Sequence, residues 1–229
     1  MVPFYPEESK IYVAVDCIIF GFDNDGLKVL LYKRSFEPFK GKWSLMGGFV
    51  ATYESIDDAA RRVLYECSGL HDVFMEQIYA FGDVNRDPES RVVSIAYSAL
   101  INIENYNNDL NKSMGASWWR INELPELIFD HRQMIEKALN RLRERCKNRP
   151  IGFELLPEKF TLPRLIKLYE EIYQKKIDKR NFRKKILSMN LLKRLDEKDK
   201  STSKRGAFLY RFDKKKYNKL IEKGFHFEL

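Results

Sequence analysis

Apolar and polar positions follow two different periods along this chain. Ile11 to Phe22 (IYVAVDCIIFGF) is a nearly unbroken run of β-branched, aromatic and small apolar residues, which predicts a buried strand. Asn24-Asp25-Gly26 is a turn signal, and Leu27 to Lys33 returns as a second strand. A loop holding Pro38 and Gly41 leads to a short apolar segment, Trp43 to Val50, interrupted by Gly47-Gly48. From Ser55 the period changes. Ile56, Ala59, Ala60, Val63, Leu64 and Cys67 recur at helical spacing, Ser55 and Asp58 make an approximate capping box, and Gly69 ends the helix. Val73 to Phe81 and Val92 to Ile101 read as strands around a polar loop, Gly82 to Arg91, and Ser117-Trp118-Trp119 begins a last short strand. Asp130 caps a helix running to Lys147, whose basic end suits the helix dipole.

The pattern beyond Asn148-Arg149-Pro150 is different, and this places a domain boundary there: residues 1–148 form a mixed α/β body and residues 149–229 a second domain. Leu162, Leu165, Ile166, Tyr169 and Ile172 share one helical face. Asp178 caps a second helix from Lys179 to about Met189, with Phe182, Ile186 and Leu187 available to face a core. Leu191 to Leu195 and Ala207 to Phe212 read as a hairpin, followed by a short helix from Lys214 to Glu222. Helix, turn, helix, hairpin is the order of a winged helix-turn-helix.

Charge sharpens this division. Residues 1–140 hold 14 Lys/Arg and 21 Asp/Glu, a net −7, whereas residues 141–229 hold 27 Lys/Arg and 12 Asp/Glu, a net +15. The acidic body and basic tail imply a polyanionic partner for the second domain. No apolar run reaches the roughly 18 residues of a membrane span, and no secretory leader is read at the N-terminus. Cys17, Cys67 and Cys146 are too few and too scattered for a metal knuckle or a disulfide framework, which fits a reducing cytoplasm.

Gly48 to Leu70 reads GFVATYESIDDAARRVLYECSGL. Gly48, Glu54, Arg62, Leu64, Glu66, Gly69 and Leu70 stand at the spacing of the Nudix box, so the first domain resembles a Nudix domain, an α/β/α sandwich. The resemblance implies diphosphate hydrolysis by carboxylates that hold Mg²⁺, but two of those carboxylates are replaced by Val63 and Cys67. These positions are four residues apart, one above the other on a helix, and neither side chain offers the oxygen that Mg²⁺ needs. Glu66 is left to pair with Arg62. The expectation is a degenerate box with no catalytic residue, no metal and no cofactor. Arg34, Trp43, Asp83, Asn85, Arg86, Asp87, Arg91 and His131 lie in or beside the loops around the box and are candidate contacts for a small-molecule effector.

In the basic domain, Lys179, Arg180, Asn181, Arg183, Lys184 and Lys185 crowd the start of the second helix, where a helix-turn-helix reads base edges. Lys204 and Arg205 sit at the expected wing tip, a place for phosphate or minor-groove contacts. Arg86-Asp87-Pro88, Phe129-Asp130-His131, Leu155-Leu156-Pro157 and Asn181-Phe182-Arg183 extend a resemblance over nearly the whole chain to the Nudix-related transcriptional regulators, nearest to the arabinose regulators (AraR) of Bacteroides-type bacteria. That resemblance implies a homodimeric, sugar-responsive repressor that leaves double-stranded operator DNA on binding a sugar, L-arabinose being the first choice. Two other readings stay open: a regulator that senses ADP-ribose or another nucleotide derivative, and an active Nudix hydrolase with an accessory DNA-binding domain.

Overall fold

The computed structural model describes residues 10–105, 115–149, 152–200 and 205–223. The long apolar run forms β1 (Tyr12–Phe22), buried from Ala14 onward because it lies in the middle of a seven-stranded sheet. β2 (Leu27–Lys33), β3 (Trp43–Ser44), β4 (Met46–Phe49), β5 (Glu76–Phe81), β6 (Val92–Asn102) and β7 (Ala116–Arg120) complete that sheet. Its order is β3–β2–β1–β6–β5, with β4 also on β1 and β7 also on β2. β4 runs antiparallel to β1, setting Gly47 opposite Asp16 and Met46 opposite Cys17.

Helix α1 (Ile56–Ser68) begins as its sequence requires: the Ser55 hydroxyl accepts from the Asp58 amide at 3.1 Å, and Gly69 closes the helix in the left-handed region at φ 73°. Ala59, Ala60, Val63 and Leu64 are its buried face, while Ile56 is exposed, so the apolar stripe starts one turn later than its spacing predicts. The close approach of α1 to β4 requires Gly48, since a Cβ there would lie 2.7 Å from a methyl of Val63. β5 starts at Glu76 rather than Val73; Phe74 is exposed, and Asp72 adopts a positive φ that turns the chain before the ladder begins. Helix α2 (His131–Asn148) follows Phe129, whose φ of 50° turns the chain at its entrance.

The remaining elements are β8 (Phe160–Thr161), α3 (Leu162–Tyr173), α4 (Lys179–Ser188), β9 (Leu192–Asp199), β10 (Ala207–Phe212) and α5 (Lys214–Glu222). β8, β10 and β9 form a three-stranded antiparallel sheet in that order. The hairpin is longer than its apolar pattern predicts. β9 continues through the exposed residues Asp196 and Glu197, where the register shifts, because Lys198 and Asp199 pair with Phe208 and Ala207 of β10. Leu165, Ile166, Leu168, Tyr169 and Ile172 of α3 and Ile186 of α4 are buried, and Phe153 stacks on Phe212 at 4.3 Å. Leu187 is exposed, against the expectation that it faces the core.

The chain packs as two compact units. The first comprises Met1–Phe20, Lys28–Leu100 and Asn107–Ala138; the second comprises Gly21–Leu27, Ile101–Tyr106 and Leu139–Leu229. The packing boundary therefore lies inside α2, whereas the sequence pattern places one at Asn148-Arg149-Pro150. In the second unit, Lys167 of α3 donates to the Asn24 carbonyl, and the Glu171 carboxylate accepts from the Leu27 amide at 3.4 Å. Among the described residues no helix is long and apolar enough to cross a membrane.

Leu165 is fully buried, so Leu165→Ala is expected to destabilise the protein by about 2–5 kcal/mol through lost contacts and an unfilled cavity. Urea denaturation checks it; a loss below about 1 kcal/mol contradicts the packing described for α3.

Candidate functional site

The first unit encloses a cavity of about 550 Å³, opening between the start of β1, the β2–β3 loop, β4 and the loop of residues 82–91. Its floor is a buried polar cluster. Asp16, the one carboxylate in β1, accepts from the Ser94 hydroxyl of β6 at 2.6 Å. Arg86 grips Asp130 with two parallel bonds, Nε to Oδ2 at 3.0 Å and Nη2 to Oδ1 at 2.8 Å, and its Nη2 lies 3.7 Å from Asp16. The Leu45 amide donates to Nδ1 of His131 at 3.0 Å. The proton of the neutral ring is therefore on Nε2, which faces Asp16 Oδ1 at 3.4 Å. Burial pushes the His131 pKa below its ordinary value, which keeps the ring neutral. Gly47 makes room for the cluster, since a Cβ there would fall 2.2 Å from Asp16 Oδ1.

Of the candidate effector contacts, Arg34, Arg86, Asp87 and His131 line this cavity, and Trp43, Asp83, Asn85 and Arg91 do not. Trp43 packs edge-on against Trp119 at 5.3 Å. Asp83 Oδ1 accepts from the Asn85 amide at 2.9 Å, and Arg91 donates to the carbonyls of Gly82 and Asp83, so these three shape the loop that carries Arg86 inward. The Arg34 Nε bonds to the Pro38 carbonyl at 2.8 Å and the guanidinium lies 4.2 Å above the Phe36 ring. Asp130, expected as a helix cap, spends both carboxylate oxygens on Arg86. The sequence reading misses Asp16, Phe36 and Phe129 as cavity residues. A lone carboxylate in an apolar strand is the signal that marks Asp16.

The box residues form a separate cluster around Arg62. Its Nε and Nη2 hold the two oxygens of Glu54 at 3.0 and 2.6 Å, its Nη1 holds Glu66 at 3.1 Å, and its Nη2 also reaches the Phe49 carbonyl at 2.9 Å. The hydrogen bonds from Arg62 draw the Glu54 pKa down from 4.5 to about 2. Val63 is buried against β4, and Cys67 faces the cavity with its thiol pushed up to about 11, chiefly by burial. Among the described residues no three His, Cys, Asp or Glu side chains are grouped to hold a metal ion.

In the second unit, α4 presents Lys179, Arg180, Asn181, Arg183, Lys184 and Lys185 to solvent. Asp178 caps the helix by accepting from the amides of Arg180 and Asn181 at 2.9 and 3.0 Å, and it also holds the Asn181 side chain at 2.8 Å. Arg205 is exposed at the start of β10; Lys204 lies outside the described residues.

An α/β unit with a degenerate box, followed by two helices and a basic hairpin, defines a Nudix-like domain joined to a winged helix-turn-helix. Residues 10–138 match the NUDIX domain and residues 152–212 the NrtR DNA-binding winged helix domain. The chain belongs to the NrtR-type Nudix regulators. It is 32% identical over 210 residues to the ADPR responsive transcriptional repressor NtrR of Acinetobacter baylyi, covering 90% of this chain and 84% of that protein. Its fold is similar to NrtR of Shewanella oneidensis complexed with a 27mer DNA, at 31% identity and a TM-score of 0.75, covering 87% of this chain and 93% of that one. The NUDIX domain of the Shewanella protein complexed with ADP ribose matches at 30% identity and a TM-score of 0.51, covering 61% of this chain and 94% of that one. None of these relatives carries the resemblance to arabinose regulators.

Because the Glu54 pKa is depressed in the folded state, its pairing with Arg62 stabilises the protein above about pH 4.5 and is lost as the pH falls toward 2. The stability advantage of the parent over Glu54→Gln is thus expected to be constant at neutral pH and to shrink between pH 4.5 and 2. Denaturant titrations at several pH values decide this. An advantage that does not change with pH contradicts the clamp.

Proposed function

We propose that this protein is a cytoplasmic, homodimeric transcriptional repressor that binds operator DNA through α4 and the wing, and whose affinity for DNA is set by ADP-ribose bound in the cleft of the Nudix-like unit. The observation that carries this reading is the combination of a cleft without a metal-ligand set and a basic helix-turn-helix in one chain. The comparisons support ADP-ribose and give no support to L-arabinose, so the nucleotide-sensing alternative replaces the sugar as the effector reading. A cavity of about 550 Å³ is large enough for such a ligand. Phe36 and Phe129 add aromatic side chains to its wall, and Arg34 offers a guanidinium for the diphosphate. Arg86 is already committed to Asp130 and acts as a fixed part of the floor.

The box does not fit the Mg²⁺ that a Nudix hydrolase uses. Glu54 and Glu66 both face Arg62, and Val63 and Cys67 offer no oxygen where two more carboxylates are needed. No hydrolytic step is therefore assigned to this chain. The cleft binds and reports.

Two outcomes test this reading. ADP-ribose is expected to release the protein from operator DNA at micromolar concentration, with no response to millimolar L-arabinose, and Arg34→Ala is expected to weaken ADP-ribose binding by about tenfold, or 1.4 kcal/mol, without loss of fold. Fluorescence anisotropy on labelled operator and calorimetry measure the two; release by the sugar alone sinks the proposal. With Mg²⁺ or Mn²⁺ present, ADP-ribose is expected to survive. Turnover on the order of 1 s⁻¹ or faster defeats the non-enzymatic reading.

A further inference from the structure

The second unit holds a cavity of its own, also about 550 Å³, whose lining shares no residue with the cleft and only Asn181 and Lys185 with the basic residues assigned to DNA. It forms where three helices converge. Arg143 and Lys147 come from one face of α2, Tyr169 and Tyr173 from one face of α3, and Asn181 and Lys185 from one face of α4, each pair four residues apart. Its floor is aromatic and built: Tyr169 is fully buried and packs on Phe182 at 5.1 Å and on Tyr173 at 6.1 Å. Its rim is cationic, with Arg143, Lys147, Lys175 and Lys185 in the lining and no carboxylate among the lining residues. Among the described residues, Lys147, Lys175 and Lys185 have no acidic partner, and Lys175 lies 5.7 Å above the Tyr173 ring. Arg143 is oriented by bonds from Nε to the Ile172 carbonyl at 2.7 Å and from Nη1 to Asn140 at 2.9 Å. The Tyr173 hydroxyl, pushed up to about 12 by burial, stays a neutral donor at physiological pH.

From this geometry we infer a second ligand site that takes a planar organic anion of about nucleoside-monophosphate size. Unpaired cations on one rim supply charge-assisted hydrogen bonds to a phosphate or carboxylate. The tilted aromatic side chains of Tyr173 and Phe182 supply the apolar wall that a planar ring prefers. A bare phosphate leaves most of the volume unfilled, and a neutral ring leaves four cations without a counter-charge. Asn181 and Lys185 belong to the helix assigned to DNA, so an occupied pocket competes with the operator for them. This last step rests on the DNA-binding reading above; the pocket itself does not.

The test uses the full chain labelled with ¹⁵N and AMP as the probe. AMP is expected to shift the amides of Ile177, Asn181 and Phe182 saturably, adenosine is expected to leave them unmoved, and Lys147→Glu is expected to weaken the AMP response by about tenfold. The Leu45 amide reads the other cleft in the same spectrum. AMP is also expected to weaken operator binding in the parent and not in Lys147→Glu. Shifts confined to Leu45 and its neighbours, or none at millimolar AMP, overturn the site. So does a response of the three amides to operator DNA with none to AMP, which assigns the pocket to the DNA backbone. Failure of operator binding together with intact shifts at Ile177 and Asn181 removes the DNA reading and supports the pocket.

Discussion

Arg86 leaves an exposed turn, enters the interior and meets Asp130 through two parallel hydrogen bonds, with its side chain only 4% exposed. A guanidinium taken out of water is costly unless its charge is met, and removing one partner of such a buried pair costs about 3–5 kcal/mol. The loop of residues 82–91, the entrance to α2 and the floor of β1 are therefore held in one arrangement. Asp16 lies at the centre, with Ser94 donating to one of its oxygens and His131 Nε2 standing 3.4 Å from the other. The carboxylate depends on Gly47, because any side chain at that position occupies the space of Asp16. The cleft is thus a rigid frame into which a ligand can bring only differential contacts, and those contacts are what can shift an equilibrium elsewhere.

The box residues knit α1 to its surroundings. Arg62 brings together Glu54, Glu66 and the Phe49 carbonyl, so that the surviving acids of the motif tie α1 to the strand before it. Val63 fills the space over Gly48 and Cys67 adds a neutral thiol to the cleft wall. In this chain the box residues serve packing on one side and an ion-pair network on the other.

The strands and helices were legible in the sequence because burial imposes period on them: β1 is apolar but for Asp16 since both its faces are covered from Ala14 onward, α1 shows its cap directly, and α3 shows its stripe. Two kinds of feature were not legible. β9 runs through charged residues because a hairpin is set by backbone pairing, which leaves no trace in side-chain chemistry. The cleft floor was only half readable, since Arg86 and His131 stood out as polar residues in loops, whereas Asp16 sat unremarked inside an apolar strand. Trp43, Asp83, Asn85 and Arg91 looked like ligand contacts because loop polarity says nothing about direction, and folding turns them to ring packing and loop closure. The sugar reading came from a likeness between whole families, which a cleft of mixed polarity does not discriminate, and the comparisons give it no support.

The second unit is not a continuous stretch of chain. It draws in Gly21–Leu27 and Ile101–Tyr106, where Asn24, Leu27 and Glu104 meet Lys167, Glu171 and Arg164 of α3. Gly26 is fitted to this arrangement, at φ 136° and with no room for a Cβ beside Glu171. Recombination that exchanges the tail alone as a cassette separates α3 from three of its partners. A gene-level swap within this family must therefore carry the turn after β1 and the segment after β6 along with the winged helix, and inheritance of the two halves is expected to be joint rather than modular.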